Sequence, residues 1–386
     1  MAEQRTVLIL GAGIGGIVLA TRLRKLLPRA HRIALVDRET DHVFAPSLLW
    51  LMTGDRSARQ ITRPLAALAR RGIEVIRGDV QHIDPTARLA RVEGREIAAM
   101  HLVVALGAEL APERIPGLAE AGHNFYTLTG ATSLRDARLT VKRGRIVLLV
   151  AALPYKCPGA PNEAVMLLEY DCRRRGLRQD VQVDMYTPEP GPMPVAGAQV
   201  SKALREMIEA KGIGYHPEHA VSAVDPAQRR IRFANGAETS YDLLAYVPPH
   251  VAPQVVRDAG LCGESGWVPV DRGTLRTKFP GVYALGDVSG IMLASIGRPL
   301  PKAGVLAHNE AEALAHNLAV ELTGRGSARP FAGDGSCFLE TGDGRAGFGS
   351  GNFFAEPAPA IRLRPPSAGL HWGKVAYEKY WLWRNF

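Results

Sequence analysis

The sequence predicts an α/β protein of two three-layer units followed by a distinct C-terminal segment. Three observations carry this reading. Apolar runs at residues 5–10 and 145–152 show no polar alternation, as expected of parallel strands covered on both faces. Each run passes through a turn-forming loop into a helical stretch, the start of a βαβ unit. Residues 327–386 then change character, to glycine, proline and aromatics. A chain of 386 residues exceeds one small core and suits two or three domains. The boundaries read as 1–110 with 270–326, then 111–269, then 327–386.

The first strand, residues 5–10, leads into Gly11-Ala-Gly-Ile-Gly-Gly16 and a helix over residues 17–27. Gly11 permits the tight turn, Gly13 lets backbone approach a pyrophosphate, and Gly16 lets helix pack on strand. A second strand, 31–36, ends at Asp37, whose carboxylate suits ribose hydroxyls. Further strands are expected at 73–77 and 102–106, the latter closing at Gly107. Together these features predict a Rossmann-like unit that binds a dinucleotide.

The second unit starts with the strand at 145–152. A second phosphate loop is expected after it, but residues 152–163 read A-L-P-Y-K-C-P-G-A-P-N-E. That loop holds one glycine, Gly159, and three prolines, Pro154, Pro158 and Pro161. Proline removes the N–H donors that phosphate binding needs. Cys157 stands at its centre, so sulfur chemistry fits better there than a nicotinamide cofactor. A helix over 162–175, a strand at 181–186, a helix at 200–210, and strands at 230–233 and 241–247 around Asn235-Gly236 complete this degenerate, NAD-like Rossmann unit. The chain then returns to the first unit through residues 275–287, ending in Gly286-Asp287 after an apolar strand.

Several classes are set aside by composition. No uncharged apolar run reaches the ~18 residues a spanning helix requires, and the first strand begins too early to leave room for a signal peptide. Four cysteines (157, 172, 262 and 337), with no C-x-x-C spacing, exclude a disulfide scaffold, a metal centre and covalent haem. The net charge of +9 is not organised into a nucleic-acid motif, and anionic lipid is the better partner.

These motifs resemble the sulfide:quinone oxidoreductases, with the flavoprotein of flavocytochrome c sulfide dehydrogenase as sister group. The resemblance covers nearly the whole chain. It rests on the two Gly-rich and Gly-Asp motifs, Lys156–Glu163 (K-C-P-x-A-P-x-E), Phe44–Trp50 (F-x-P-S-x-x-W), Leu300–Gly304 (L-P-K-A-G), Cys337 in G-S-C-F, and the tail V-A-Y-E-K-Y-W-L-W-R. It implies FAD, with Asp287 at the ribityl chain and Lys302 near the flavin. It implies a Cys157–Cys337 redox pair that sulfide attacks, electrons passing through FAD to membrane quinone. Lys156 and a helix N-terminus are expected to lower the thiol pKa, and Glu163 to accept a proton or simply to serve as a first-turn acid. Cys172 and Cys262 read as bystanders. Leu128 stands where many members carry a third cysteine. No cysteine occurs in residues 41–47, where the flavocytochrome attaches its flavin, so non-covalent FAD is expected.

The tail over 369–386 mixes Trp, Tyr and Phe with Lys and Arg at helical spacing, which suits a peripheral, monotopic membrane-interface helix. Packing on the protein body or in a homo-oligomer is the alternative. Rival functions are a type II NADH:quinone dehydrogenase, which needs a working nicotinamide loop, and a flavocytochrome-type sulfide dehydrogenase. A disulfide or coenzyme A-disulfide reductase would need a cysteine before 157. A flavin-binding protein without turnover is the non-enzyme reading.

Overall fold

The computed structural model describes residues 5–386; Met1–Gln4, where the early start of the first strand was read, lie outside the described residues. Five parallel strands form the first sheet, in the order Val282–Ala284, His101–Val104, Thr6–Leu10, Arg32–Asp37, Glu74–Arg77. The central strand explains its own sequence. Val7 and Ile9 face a core shared with Ile17 and Leu23 of helix Ile14–Leu26 and Leu314 and Leu318 of helix Gly304–Thr323. Leu8 and Leu10 face the opposite core, against Ile83 and Val92 of a three-stranded antiparallel sheet. Both faces are covered, so every position from 7 to 10 is fully buried, each contributing about 1.5–3 kcal/mol.

The second sheet repeats the plan. Its order is His123–Asn124, Leu243–Val247, Gly144–Val150, Val181–Tyr186, Gly214–His216, all parallel. Ile146, Leu148 and Val150 pack against Ala164, Val165 and Leu168 of helix Ala160–Arg174. Val147 and Leu149 face a second antiparallel sheet through Ile231 and Phe233. One expectation is corrected here. The Asn235-Gly236 turn does not join 230–233 to 241–247. It joins Arg230–Phe233 to Glu238–Ser240, with Ile231 opposite Thr239. Leu243–Val247 is buried at every position, which suits a central parallel strand rather than a hairpin arm.

The C-terminal segment contains a sheet that the sequence reading did not assign. Strands Asp334–Gly342, Arg345–Asn352 and Ala360–Ser367 are antiparallel neighbours. Helix Ala368–Asn385 follows, its first turn capped by Ser367 Oγ, which accepts from the Leu370 N–H at 3.3 Å. Lys374, Glu378, Trp381, Leu382 and Asn385 form its buried face. Trp372, Tyr380 and Trp383 point outward. The helix therefore packs on the body along one face and keeps an aromatic face free.

Trp381 anchors this helix to the first unit. Its ring stacks on His42 at 5.1 Å and packs on Phe44 at 5.2 Å. His42 Nδ1 meets the Ala12 carbonyl at 3.1 Å. The Gly-rich loop, His42 and the terminal helix are thus tied in series. Burial lowers the His42 pKa to about 4. The folded state therefore resists protonation that the unfolded chain accepts near pH 6.5. Stability is full above that value and falls as the pH drops toward 4, by about 3 kcal/mol for this residue. Denaturant unfolding at pH 7 and pH 4.5 is expected to show this loss, and His42→Phe to reduce its slope.

Candidate active site

The first loop has the contacts its glycines were expected to make. Gly11 lies at φ +104°, and a Cβ there would stand 2.4 Å from the Ala105 carbonyl oxygen. A Cβ on Gly16 would meet the Gly11 carbonyl oxygen at 1.9 Å. At Gly13 and Gly107 nothing lies within 4 Å, leaving backbone open to a ligand. Asp37 fastens the loop: Oδ2 accepts from the Ala12 N–H at 2.6 Å and Oδ1 from the Glu39 N–H at 2.9 Å.

Asp287 sits on a single 3₁₀ turn, Gly286–Val288, directly after strand Val282–Ala284. Its Oδ1 is buried without a hydrogen-bond partner. Burial raises its pKa, with Lys156 and Lys302 pulling the other way. Lys302 Nζ donates to the carbonyls of Asp287 at 2.6 Å and Ser289 at 3.1 Å, and lies 3.4 Å from the centre of the Trp267 ring. Burial lowers Lys302 to about 8 against the pull of Asp287 and Glu310. Glu310, whose Oε2 accepts from the Gly286 N–H at 2.6 Å, is pushed up by burial to about 7. Sequence reasoning missed Glu310, an acid in a mostly apolar helix, because its partner lies 24 residues away.

The cysteine loop is held by the same lysine segment. The Cys157 N–H donates to the Lys302 carbonyl at 2.5 Å, and its own carbonyl accepts from the Ala160 N–H at 2.9 Å. Cys157 occupies the left-handed region, φ +53°, a conformation that costs a non-glycine residue of order 1–3 kcal/mol. These two backbone bonds hold it there. Tyr155 fills the space beside the loop and donates from its hydroxyl to Glu189 Oε2 at 2.7 Å. Glu189 follows the second strand of this unit, so the loop and the strand end close on each other.

Glu163 lies in the first turn of helix Ala160–Arg174, as expected, but it is not free to act alone. Its Oε2 accepts from the Glu340 N–H at 2.7 Å and pairs with Lys374 Nζ at 2.5 Å. Both side chains are buried. Lys374 comes from the terminal helix and Glu340 from the strand that carries Cys337. Burial opposes the Lys374 charge, but Glu163 and Glu340 outweigh it and raise its pKa. Glu340 in turn meets His371 Nδ1 at 3.0 Å.

Two expectations about the thiols are corrected. Burial raises the Cys157 pKa instead of lowering it, reinforced by Cys337 and Glu163 and opposed by Lys374. Cys337 is pushed up to about 12 by the protein packed around its sulfur and by Glu163, again against Lys374. The Cys337 residue is open to solvent, which offsets part of that rise. The cation facing the thiols is therefore Lys374. Lys156 instead lies 6.0 Å from the Tyr126 ring and acts on His250 and Asp287. All four cysteines are free thiols in this structure. Cys172 is buried in a helix, Cys262 is half-buried in a turn, and Leu128 opens helix Leu128–Ala137 against the second core.

The pyridine nucleotide-disulphide oxidoreductase family model matches residues 5–152 and 160–310. The chain belongs to this family. Within the match, the family pattern breaks at 153–159, the segment that carries Cys157. Among individual members, the sulfide-quinone reductase of Aquifex aeolicus is 29% identical, over 98% of this chain and 90% of that protein. The mitochondrial sulfide:quinone oxidoreductase of Mus musculus is 27% identical, over 91% of this chain and 79% of that protein. The X-ray structure of the Aquifex aeolicus sulfide:quinone oxidoreductase superposes with a TM-score of 0.89 at 26% identity, covering 99% of this chain and 91% of that one. The cofactor that this membership implies is FAD. The residues fit it. Gly11 and Gly16 let strand, loop and helix pack closely, Gly13 leaves backbone open at the helix N-terminus, and Asp287 holds a buried oxygen without a partner.

Removing one member of the buried ion pair is expected to cost about 3–5 kcal/mol. Lys374→Met should lower Tm and slow alkylation of the reduced thiols at pH 8. Glu163→Gln should speed that alkylation, because the charge that raises the thiol pKa is gone. The double variant should recover much of the stability lost by either single one. Thermal unfolding and iodoacetamide kinetics measure both effects.

Proposed function

We propose that this chain oxidises sulfide to polysulfide or sulfur and passes two electrons through non-covalent FAD to a membrane quinone. One observation carries the reading. Where a second phosphate loop would stand, the chain places a strained cysteine, and the buried Glu163 just after that loop accepts from the backbone of the strand bearing a second cysteine while pairing with Lys374. The resemblance of the chain to sulfide:quinone oxidoreductases supports the same substrates.

The chemistry starts from a Cys157–Cys337 bridge. Hydrosulfide attacks one sulfur and the S–S bond breaks. One cysteine becomes a persulfide and the other leaves as a thiolate. Protonated Lys374 favours that thiolate electrostatically, while burial and Glu163 disfavour it. The thiolate is thus formed but poorly stabilised, which makes it a strong electron-pair donor. FAD held by the Gly11–Gly16 loop and Asp287 would supply the two-electron oxidant with which thiolate and persulfide close again into a sulfur-extended bridge, quinone being the final acceptor. Lys302, fixed by the Asp287 and Ser289 carbonyls, supplies positive charge beside the Gly-Asp turn. Glu163 acts in this scheme as a positioning residue for Lys374.

NADH is disfavoured as the electron source. Pro154, Pro158 and Pro161 offer no N–H, the Cys157 N–H is committed to Lys302, and Tyr155 occupies Glu189. Among the described residues no helix is long and apolar enough to cross a membrane. The outward Trp372, Tyr380 and Trp383 suit peripheral attachment at the lipid interface, where quinone is met.

Anaerobic titration of the yellow holoprotein is expected to bleach the flavin with sulfide and not with NADH. Bleaching by NADH at a comparable rate would sink the proposal. Cys157→Ser and Cys337→Ser are each expected to keep FAD and to lose sulfide bleaching by ~10³-fold.

A further inference from the structure

Four cations of this basic chain line one cleft that the site above does not use. Arg24, Lys25, Arg29, Arg71 and Thr21 line a cleft of about 200 Å³ at the C-terminal end of helix Ile14–Leu26. Two of these cations are rigid. The Arg24 guanidinium donates to the carbonyls of His31 at 2.9 Å, Leu27 at 2.8 Å and Pro28 at 2.5 Å. Arg71 donates to the Arg384 carbonyl at 2.9 Å and the Trp383 carbonyl at 3.4 Å. Carbonyls orient a guanidinium without neutralising it. Lys25 and Arg29 are exposed. Neighbouring arginines have acids, Arg22 with Glu312 and Arg32 with Glu74. The cleft cations have no carboxylate within 4.0 Å among the described residues. Like charges gathered around one concavity repel unless an anion joins them.

The cleft also adjoins the aromatic face of the terminal helix. Trp383 is 75% exposed and Tyr380 46% exposed, and Arg71 is bonded to the backbone of Trp383 itself. Thr21, on the cleft lining, reaches Asn385 at 3.3 Å. Tryptophan and tyrosine settle at headgroup depth, where lipid phosphates lie. A free phosphate would account for the cations but not for the aromatics beside them.

We propose that Arg24, Lys25, Arg29 and Arg71 bind the phosphate of an anionic lipid headgroup while Trp383 and Tyr380 enter the interface next to it. This rests on the peripheral-membrane reading of the terminal helix and adds to it a defined headgroup site. Arg24 and Arg71 build the cleft walls, so Lys25→Gln/Arg29→Gln is the informative variant. The experiment is vesicle flotation of the full-length holoprotein, with phosphatidylcholine alone or with about one-third phosphatidylglycerol. The wild type is expected to prefer the anionic vesicles. The double variant should bind them roughly 30-fold more weakly, at about fivefold per cation near such a surface. Its sulfide oxidation with a soluble quinone analogue should be unchanged. Trp383→Ala/Tyr380→Ala should weaken binding to both compositions. If that aromatic variant detaches but Lys25→Gln/Arg29→Gln binds anionic vesicles like wild type, the membrane reading stands and the headgroup site is overturned. If the wild type floats with neither vesicle, both fall. If inorganic phosphate raises the Tm of wild type but not of Lys25→Gln/Arg29→Gln, and the wild type shows no lipid preference, the cleft belongs to free phosphate and the lipid assignment is overturned.

Discussion

The buried Glu163–Lys374 ion pair is the interaction on which the rest of the site depends. It joins three elements that are distant in sequence: the helix after the cysteine loop, the strand that carries Cys337, and the terminal helix. Two buried charges are costly apart and tolerable together, so these elements are expected to dock together or not at all. The same pair sets the field at both thiols, one member raising their pKa and the other lowering it. Architecture and reactivity are governed here by one contact.

The two sheet units show what happens when a common plan is kept in one copy and altered in the other. Each has a five-stranded parallel sheet, helices on one face and a three-stranded antiparallel sheet on the other. In the first, close-packed glycines leave backbone bare at a helix N-terminus. In the second, the corresponding space is filled by Tyr155, which reaches Glu189, and by a cysteine whose N–H is already spent on Lys302. Phosphate needs free donors, and the second loop does not offer them.

Much of this was legible before the structure. Strands buried on both faces leave unbroken apolar runs such as 7–10 and 146–150, and the glycines at 11, 13 and 16 can be read from spacing. Cys157 stood out because prolines surround it. Other features left no local trace. Strands 334–342 and 345–352 are rich in glycine, so they lack the β-branched pattern that marks a strand. Lys374 resembles any lysine in an amphipathic tail until the fold brings it to Glu163. Lys156 sits beside the cysteine in sequence, yet its charge is directed elsewhere. Adjacency along the chain was a poor guide to electrostatic adjacency. The left-handed backbone of Cys157 is likewise invisible in the residue string.

The separation of 211 residues between Glu163 and Lys374 has a consequence for biosynthesis. At about 5–20 residues per second, the ribosome releases Glu163 and the cysteine loop ~10–40 s before the lysine that pairs with the acid. For that interval the acid cannot be buried at low cost, so the first turn of helix 160–174 stays open although its apolar face can already pack on the second sheet. The nascent thiols lie in an unfinished pocket that closes only when the terminal helix arrives. The order of synthesis thus makes the seam around the strained cysteine the last part of the structure to close.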